Sequence, residues 1–169
     1  MNKLYLITGP AGVGKSTISR LLAENSSKSV LIEGDEIYHQ VIGGYKPAWK
    51  DGNHLEVFWD ICLKSIEIYL SYGYDVVFNY IIEPENILKI KDAFKDYDKK
   101  FVVLITDEET ILKRDANRPE DCQMKERCIV LLNSFKNMNF DKKYYLDTSN
   151  LSIKNTIENI ISNDNYIIH

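Results

Sequence analysis

The run Gly9-Pro10-Ala11-Gly12-Val13-Gly14-Lys15-Ser16, followed by Thr17, constrains this chain more than any other feature. It is G-x-x-x-x-G-K-S with every defined position filled. An apolar run, Leu4-Tyr5-Leu6-Ile7, precedes it. From Ser16 to Glu24 a helical pattern follows, with Ile18, Leu21 and Leu22 on one face. Strand, glycine-rich loop and helix in that order form a phosphate cradle. Gly9, Gly12 and Gly14 let the backbone turn tightly and present its N–H groups to phosphate oxygens. The helix that starts near Lys15 adds the positive end of its dipole. Lys15 can reach the β- and γ-phosphates, and Ser16 can offer its hydroxyl to Mg2+. Gly9 through Thr17, with Pro10, Ala11 and Val13 lending backbone, is therefore expected to hold ATP. The bland alternative is a glycine-rich turn that happens to precede a helix.

Four further apolar runs are strand candidates: Val30-Leu31-Ile32, Val76-Val77-Phe78, Phe101 to Ile105 and Tyr144-Tyr145-Leu146. Continuous rather than alternating runs suit strands buried on both faces of a parallel sheet. Between them lie helical patterns at His54 to Tyr72, from Pro84, at Thr110 to Ala116, at Glu126 to Met138 and at Leu151 to Ile161. This alternation predicts an α/β three-layer sandwich around a five-stranded parallel sheet. Ligands then gather at the carboxyl ends of the strands.

With 169 residues, 44% of them hydrophobic, the chain suits one domain, 1–169. Its net charge of −4 argues against a broad nucleic-acid surface. The three cysteines, Cys62, Cys122 and Cys128, form no CxxC pair and are expected to be reduced, structural thiols in a cytoplasmic protein. No secretory signal and no membrane helix are expected. A monomer or dimer acting on a small molecule fits this profile.

Ile32-Glu33-Gly34-Asp35 puts two carboxylates just past the second strand. In a parallel sheet with this loop, that end faces the γ-phosphate. Asp35 could take the proton of an attacking hydroxyl. Alternatively it could cap a helix beginning at Glu36.

Together the loop, Glu33-Gly34-Asp35 and the small size resemble the shikimate kinase, gluconate kinase and chloramphenicol phosphotransferase group of P-loop NTPases. The stretches Gly34 to His39 and Gly43 to Trp49 are similar to small bacterial proteins labelled gluconate kinases or AAA-type ATPases. That resemblance covers nearly the whole chain. It implies ATP and Mg2+ as cofactors and a small-molecule hydroxyl as acceptor. It also implies catalytic roles for Lys15, Asp35 and Arg118. Arg114 would pack on the adenine, Arg118 would belong to a small lid near 116–124, and Thr148, within Asp147-Thr148-Ser149, would edge the base. On the residues alone, Arg114 and Arg118 share a helix face only if the helix continues that far; both could be an ordinary solvated helix end. Asn117, Pro119 and Asp121 break the apolar pattern there, as a hinged flap would. Arg127 is a further lid or substrate candidate.

At the third strand the chain departs from the group. Asn79 stands where relatives often carry an acid, which puts a metal-binding role there in doubt. On the acceptor side the candidates are Tyr38, His39, Tyr45, Lys46, Trp49, Tyr80 and Glu83, with Trp49 and Tyr45 as either stacking surfaces or packing anchors. Two functions compete: a kinase that phosphorylates a small-molecule hydroxyl, and an ATP-binding regulatory module with slow hydrolysis. Asp35 favours the first and Asn79 the second.

Overall fold

A computed structural model describes residues 2–120 and 123–169. The described residues form a parallel sheet of five strands: β1 (Lys3–Thr8), β2 (Ser29–Glu33), β3 (Asp75–Asn79), β4 (Asp98–Ile105) and β5 (Tyr145–Asp147). Their order is β2-β3-β1-β4-β5, which puts the strand ahead of the glycine loop in the middle. Helices α1 (Lys15–Glu24), α2 (Gly34–Tyr38), α3 (Leu55–Ser71), α4 (Pro84–Ala93), α5 (Glu108–Ala116), α6 (Arg127–Lys136) and α7 (Ile153–Ser162) fill the connections.

The side-chain alternation of β1 builds both halves of the core. Leu4 and Leu6 face a layer that includes Phe58, Ile66 and Ile90 of α3 and α4. Tyr5 and Ile7 face Ile18, Leu22 and Ile160 of α1 and α7. β4 repeats this with Phe101 and Val103 on one side and Val102 and Leu104 on the other. Burial on both faces is why these strands read as unbroken apolar runs.

Two buried lysines open β4, and they too point to opposite faces. Lys99 Nζ donates to the carbonyls of Phe94 (2.8 Å) and Tyr97 (3.0 Å), just past α4. Lys100 Nζ donates to those of Ile160 (3.3 Å), Ile161 (2.7 Å) and Asn163 (3.0 Å) at the end of α7. Helix C-termini leave carbonyls unsatisfied and carry partial negative charge, so a buried ammonium is stable there.

Several boundaries differ from the sequence reading. The fifth strand starts at Tyr145, because Lys142–Tyr144 forms a 3-10 turn that Asp141 caps by accepting from Lys143 N–H. Helix α7 does not close the chain. A 3-10 turn at Asp164–Tyr166 brings the tail back, and Ile168 N–H donates to Lys99 O (3.1 Å) with Ile168 buried.

Register aligns the strand ends. Glu33 and Ile7 are both paired with Asn79, so one row crosses three strands at their carboxyl ends. Beside it, the buried Thr8 hydroxyl accepts from Ile82 N–H (2.9 Å) and ties the chain after β3 to the loop after β1. No helix among the described residues is long and apolar enough to cross a membrane.

Candidate active site

The site is built on the loop between β1 and α1. Gly9 has φ 147°, and a Cβ there would sit 2.4 Å from Leu104 O, so only glycine fits against β4. Gly14 precedes α1 with no side-chain cap, and the first turn of α1 carries no acid. Its N–H groups and dipole are thus left for an anion. Lys15 Nζ donates to Pro10 O (3.0 Å), folding back over the loop. Burial lowers the Lys15 pKa to about 8, with Asp35 working against that shift and Arg118 adding to it.

Lys15, Asp35 and Arg118 therefore share one neighbourhood. A cleft of about 670 Å³ is lined by Ala11 through Ile18, Asp35, Arg114, Asn117, Arg118 and Thr148. Gly9 and Pro10, at the start of the loop, do not line it. Leu151, just before α7, and Ile153 and Thr156 in its first turn also line the cleft, and the sequence reading named none of them as site residues. Leu151 reads in sequence as an ordinary core position of the last helix.

Asp35 is not a helix cap. Helix α2 begins at Gly34, with Glu33 at the cap position, so Asp35 lies inside the first turn. A Cβ on Gly34 would be 2.6 Å from Tyr80 Cδ2, so the chain can pass over this ring only as glycine. Burial, then the Asp35 charge, raises the Tyr80 pKa.

Asn79 reaches the loop directly. Its side-chain amide donates to the Ser16 hydroxyl (3.3 Å), where an acid would have brought charge.

Arg114 is fixed rather than solvated. Its guanidinium donates to Val13 O (2.9 Å), Thr148 Oγ1 (2.9 Å) and Thr148 O (3.0 Å), joining α5, the glycine loop and the chain after β5. Helix α5 ends at Ala116, so Arg118 lies beyond it, yet both arginines face the cleft. Of the segment expected to form a lid, Asp121 and Cys122 lie outside the described residues. Its described part is bonded within itself: Gln123 Nε2 donates to Ala116 O (3.2 Å) and Arg118 O (2.9 Å).

Asp115 is the residue that sequence reasoning missed. It is 2% exposed and accepts from Met124 N–H (2.9 Å), Lys125 N–H (2.7 Å) and Arg118 Nη1 (3.2 Å). Burial alone would raise its pKa. Donation from the Lys125 amide, the Cys128 thiol, the Met124 amide and Arg118 outweighs burial and holds the carboxyl below its ordinary range.

The acceptor-side candidates form an aromatic wall outside the cleft lining. Tyr38 is buried, stacks on His54 (4.1 Å between ring centres) and donates to Lys46 O (2.8 Å). Tyr80 packs on Phe58 (4.4 Å). Tyr45 lies beside His39 (5.7 Å). Trp49 is 70% exposed, with the Arg127 guanidinium 5.4 Å over its ring. Glu83 stands at the cap of α4, where its N–H donates to Asn86 Oδ1 (2.9 Å).

The sequence model of the AAA domain matches residues 4–134, most of the chain. This chain belongs to the AAA domain family. Its fold is similar to that of a tunicamycin resistance protein from Deinococcus radiodurans (TM-score 0.70, 19% identity, covering 96% of this chain and 95% of that one). It is also similar to an APS kinase from Mycobacterium tuberculosis solved with AMPPNP and APS (0.69, 18%, 95% and 95%). A gluconokinase from Sinorhizobium meliloti 1021 shares the fold as well (0.68, 14%, 95% and 90%). A comparison with curated proteins finds no match. At these identities the three structures show a shared fold alone, and the residues of this chain must carry any argument about chemistry.

Proposed function

We propose that this protein is an ATP-dependent kinase that transfers the γ-phosphoryl group to a hydroxyl of a small molecule. One observation carries the reading: the phosphate loop from Ala11 through Ser16, including Lys15, lines a single cleft with Asp35 and Arg118. The loop amides and Lys15 bind the phosphates, while Arg114, Thr148, Leu151 and Ile153 border the base. Asp35 takes the acceptor's proton as its oxygen bonds to the γ-phosphorus and the bond to the bridging oxygen breaks, leaving ADP. Lys15 and Arg118 offset the charge on the transferring group.

Among the described residues, no cluster of three or more His, Cys, Asp or Glu could hold a metal alone. The Ser16 hydroxyl, which lines the cleft at the start of α1, is an oxygen ligand that fits Mg2+ arriving with the nucleotide, an ion that takes most of its ligands from phosphate and water. That ion would neutralise phosphate charge. Residues 116–124 serve as the lid in this reading, and Trp49 and Tyr45 border the acceptor. Likeness to a gluconokinase makes sugar acids the first acceptors to try.

Asn79 favours a second reading, an ATP-binding module with slow hydrolysis, because an amide at Ser16 brings no charge to the ion. A panel of sugar acids, nucleosides and hydroxylated antibiotics incubated with labelled ATP separates the two. Phosphorylated product from a hydroxyl compound supports the kinase. Tight nucleotide binding with no product from any of them supports the second reading.

A further inference from the structure

We propose that Asp115 is a positioning residue for the phosphate-binding arginine, holding the Arg118 guanidinium at the mouth of the cleft. This inference rests on the reading of Arg118 as a phosphate ligand and adds a residue that does not itself reach the cleft.

The geometry is specific. Arg118 sits one residue beyond the helix cap, on backbone that no longer belongs to α5. A long side chain there loses much rotamer freedom when it binds a phosphate. Asp115 reduces that loss beforehand by holding one guanidinium nitrogen, Nη1, at 3.2 Å. An arginine has five N–H donors, so a hold through one nitrogen leaves others free to reach a phosphate. The side chain of Arg118 remains 37% exposed and faces the cleft, whereas that of Asp115 is 2% exposed.

Asp115 is itself fixed by backbone. The amides of Met124 and Lys125 converge on its Oδ2. Lys125 adopts φ 50°, and among the described residues it is the one non-glycine with positive φ. That left-handed backbone is unfavourable for a side-chain-bearing residue, and it is kept where both amides meet the carboxylate. Asp115 Cβ lies 3.7 Å from where a Cβ on Gly12 would stand, so α5 passes close to the glycine loop at this residue. Its charge is largely satisfied by these donors, which limits repulsion of an incoming phosphate. Arg118 is thus registered to the loop that binds the same phosphates.

The test is a double-mutant cycle read by calorimetric binding of Mg2+·AMPPNP, with thermal melts on each protein. Arg118→Ala is expected to weaken binding about tenfold, the scale of one charge-assisted contact. Asp115→Asn is expected to weaken it several-fold, and the double variant no more than Arg118→Ala alone, because Asp115 acts through Arg118. Losses that multiply in the double variant, or normal affinity in a folded Asp115→Asn, overturn the proposal and leave Asp115 a structural anchor. If Arg118→Ala binds normally, the reading of Arg118 falls first and this inference with it. Should Asp115→Asn not fold, Asp115→Glu enters the same cycle. It keeps the charge and moves it by one methylene, so a loss that vanishes in the Arg118→Ala background supports positioning, and an additive loss refutes it.

Discussion

Lys15 shows how one residue can oppose folding and serve binding. Its ordinary pKa of 10.5 falls to about 8 in the folded chain, chiefly through burial. Between those values the unfolded chain binds more protons than the folded one, so stability rises with pH across that window. Below about pH 8 the charged ammonium costs stability. Lys15→Met is therefore expected to melt no lower than wild type at pH 7, with any advantage shrinking by pH 10, while nucleotide binding collapses. A lower melting temperature at pH 7 would contradict this. Bound triphosphate has the opposite sign, since it favours the charged lysine. Binding should take up a proton above about pH 8, and affinity should fall as pH rises further. Calorimetry in two buffers of different ionisation enthalpy at pH 8.5 measures that uptake directly. Asp35 makes a second residue-scale test. Asp35→Asn should fold normally, since Asp35 caps nothing, and should still bind AMPPNP through the loop amides and Lys15, yet lose transfer by ~10²-fold or more. Full turnover in that variant would remove Asp35 as the base.

At the scale of elements, strand β4 does more than pair. Lys99 and Lys100 anchor the C-terminal ends of helices on opposite faces of the sheet, so the strand sets where α4 and α7 finish. Lys100→Met keeps much of the buried stem and strands three carbonyls. The expected cost is about 2 kcal/mol, the scale of losing a hydrogen-bonded charged group. Chemical denaturation should show it as a lower midpoint, with amides near Ile160 and Ile161 exchanging faster; an unchanged midpoint would mean water replaces the ammonium. Helix α2 offers the converse case. Gly34→Ala would drive a Cβ into the Tyr80 ring. It should destabilise the protein and shift Asp35, whereas Gly34→Ala with Tyr80→Ala should recover part of the loss.

For the whole molecule, the two halves of the cleft come from distant parts of the chain. Arg114 alone bridges α5, the glycine loop and the segment after β5. A ligand that binds such a site only in the folded state stabilises the entire fold. Mg2+·AMPPNP at about a hundred times its dissociation constant should add roughly 2.7 kcal/mol, read as a rise in melting temperature that grows with the logarithm of concentration. A melting temperature indifferent to nucleotide would refute the site.

The local order of the chain was legible in the sequence. Buried runs such as Leu4 to Ile7 and the spacing of Phe58, Cys62 and Ile66 mark strand and helix, because one period or an unbroken apolar run is set by which faces are covered. The glycine loop was legible for the same reason: its chemistry lies within eight consecutive residues. Strand order was not, since β1 pairs with β3 and β4 through contacts far apart in the chain. Nor was the part played by Asp115, which in sequence is one acid among many on a polar helix. Its four donors come from backbone, thiol and guanidinium groups that meet only after α5 and α6 pack together. The same holds for Gly34, whose need for glycine arises from a ring 46 positions later in the chain. Sequence determined which residues can bind phosphate; tertiary structure decided which ones stand beside them, because buried charges take their partners from whatever the packing brings within reach.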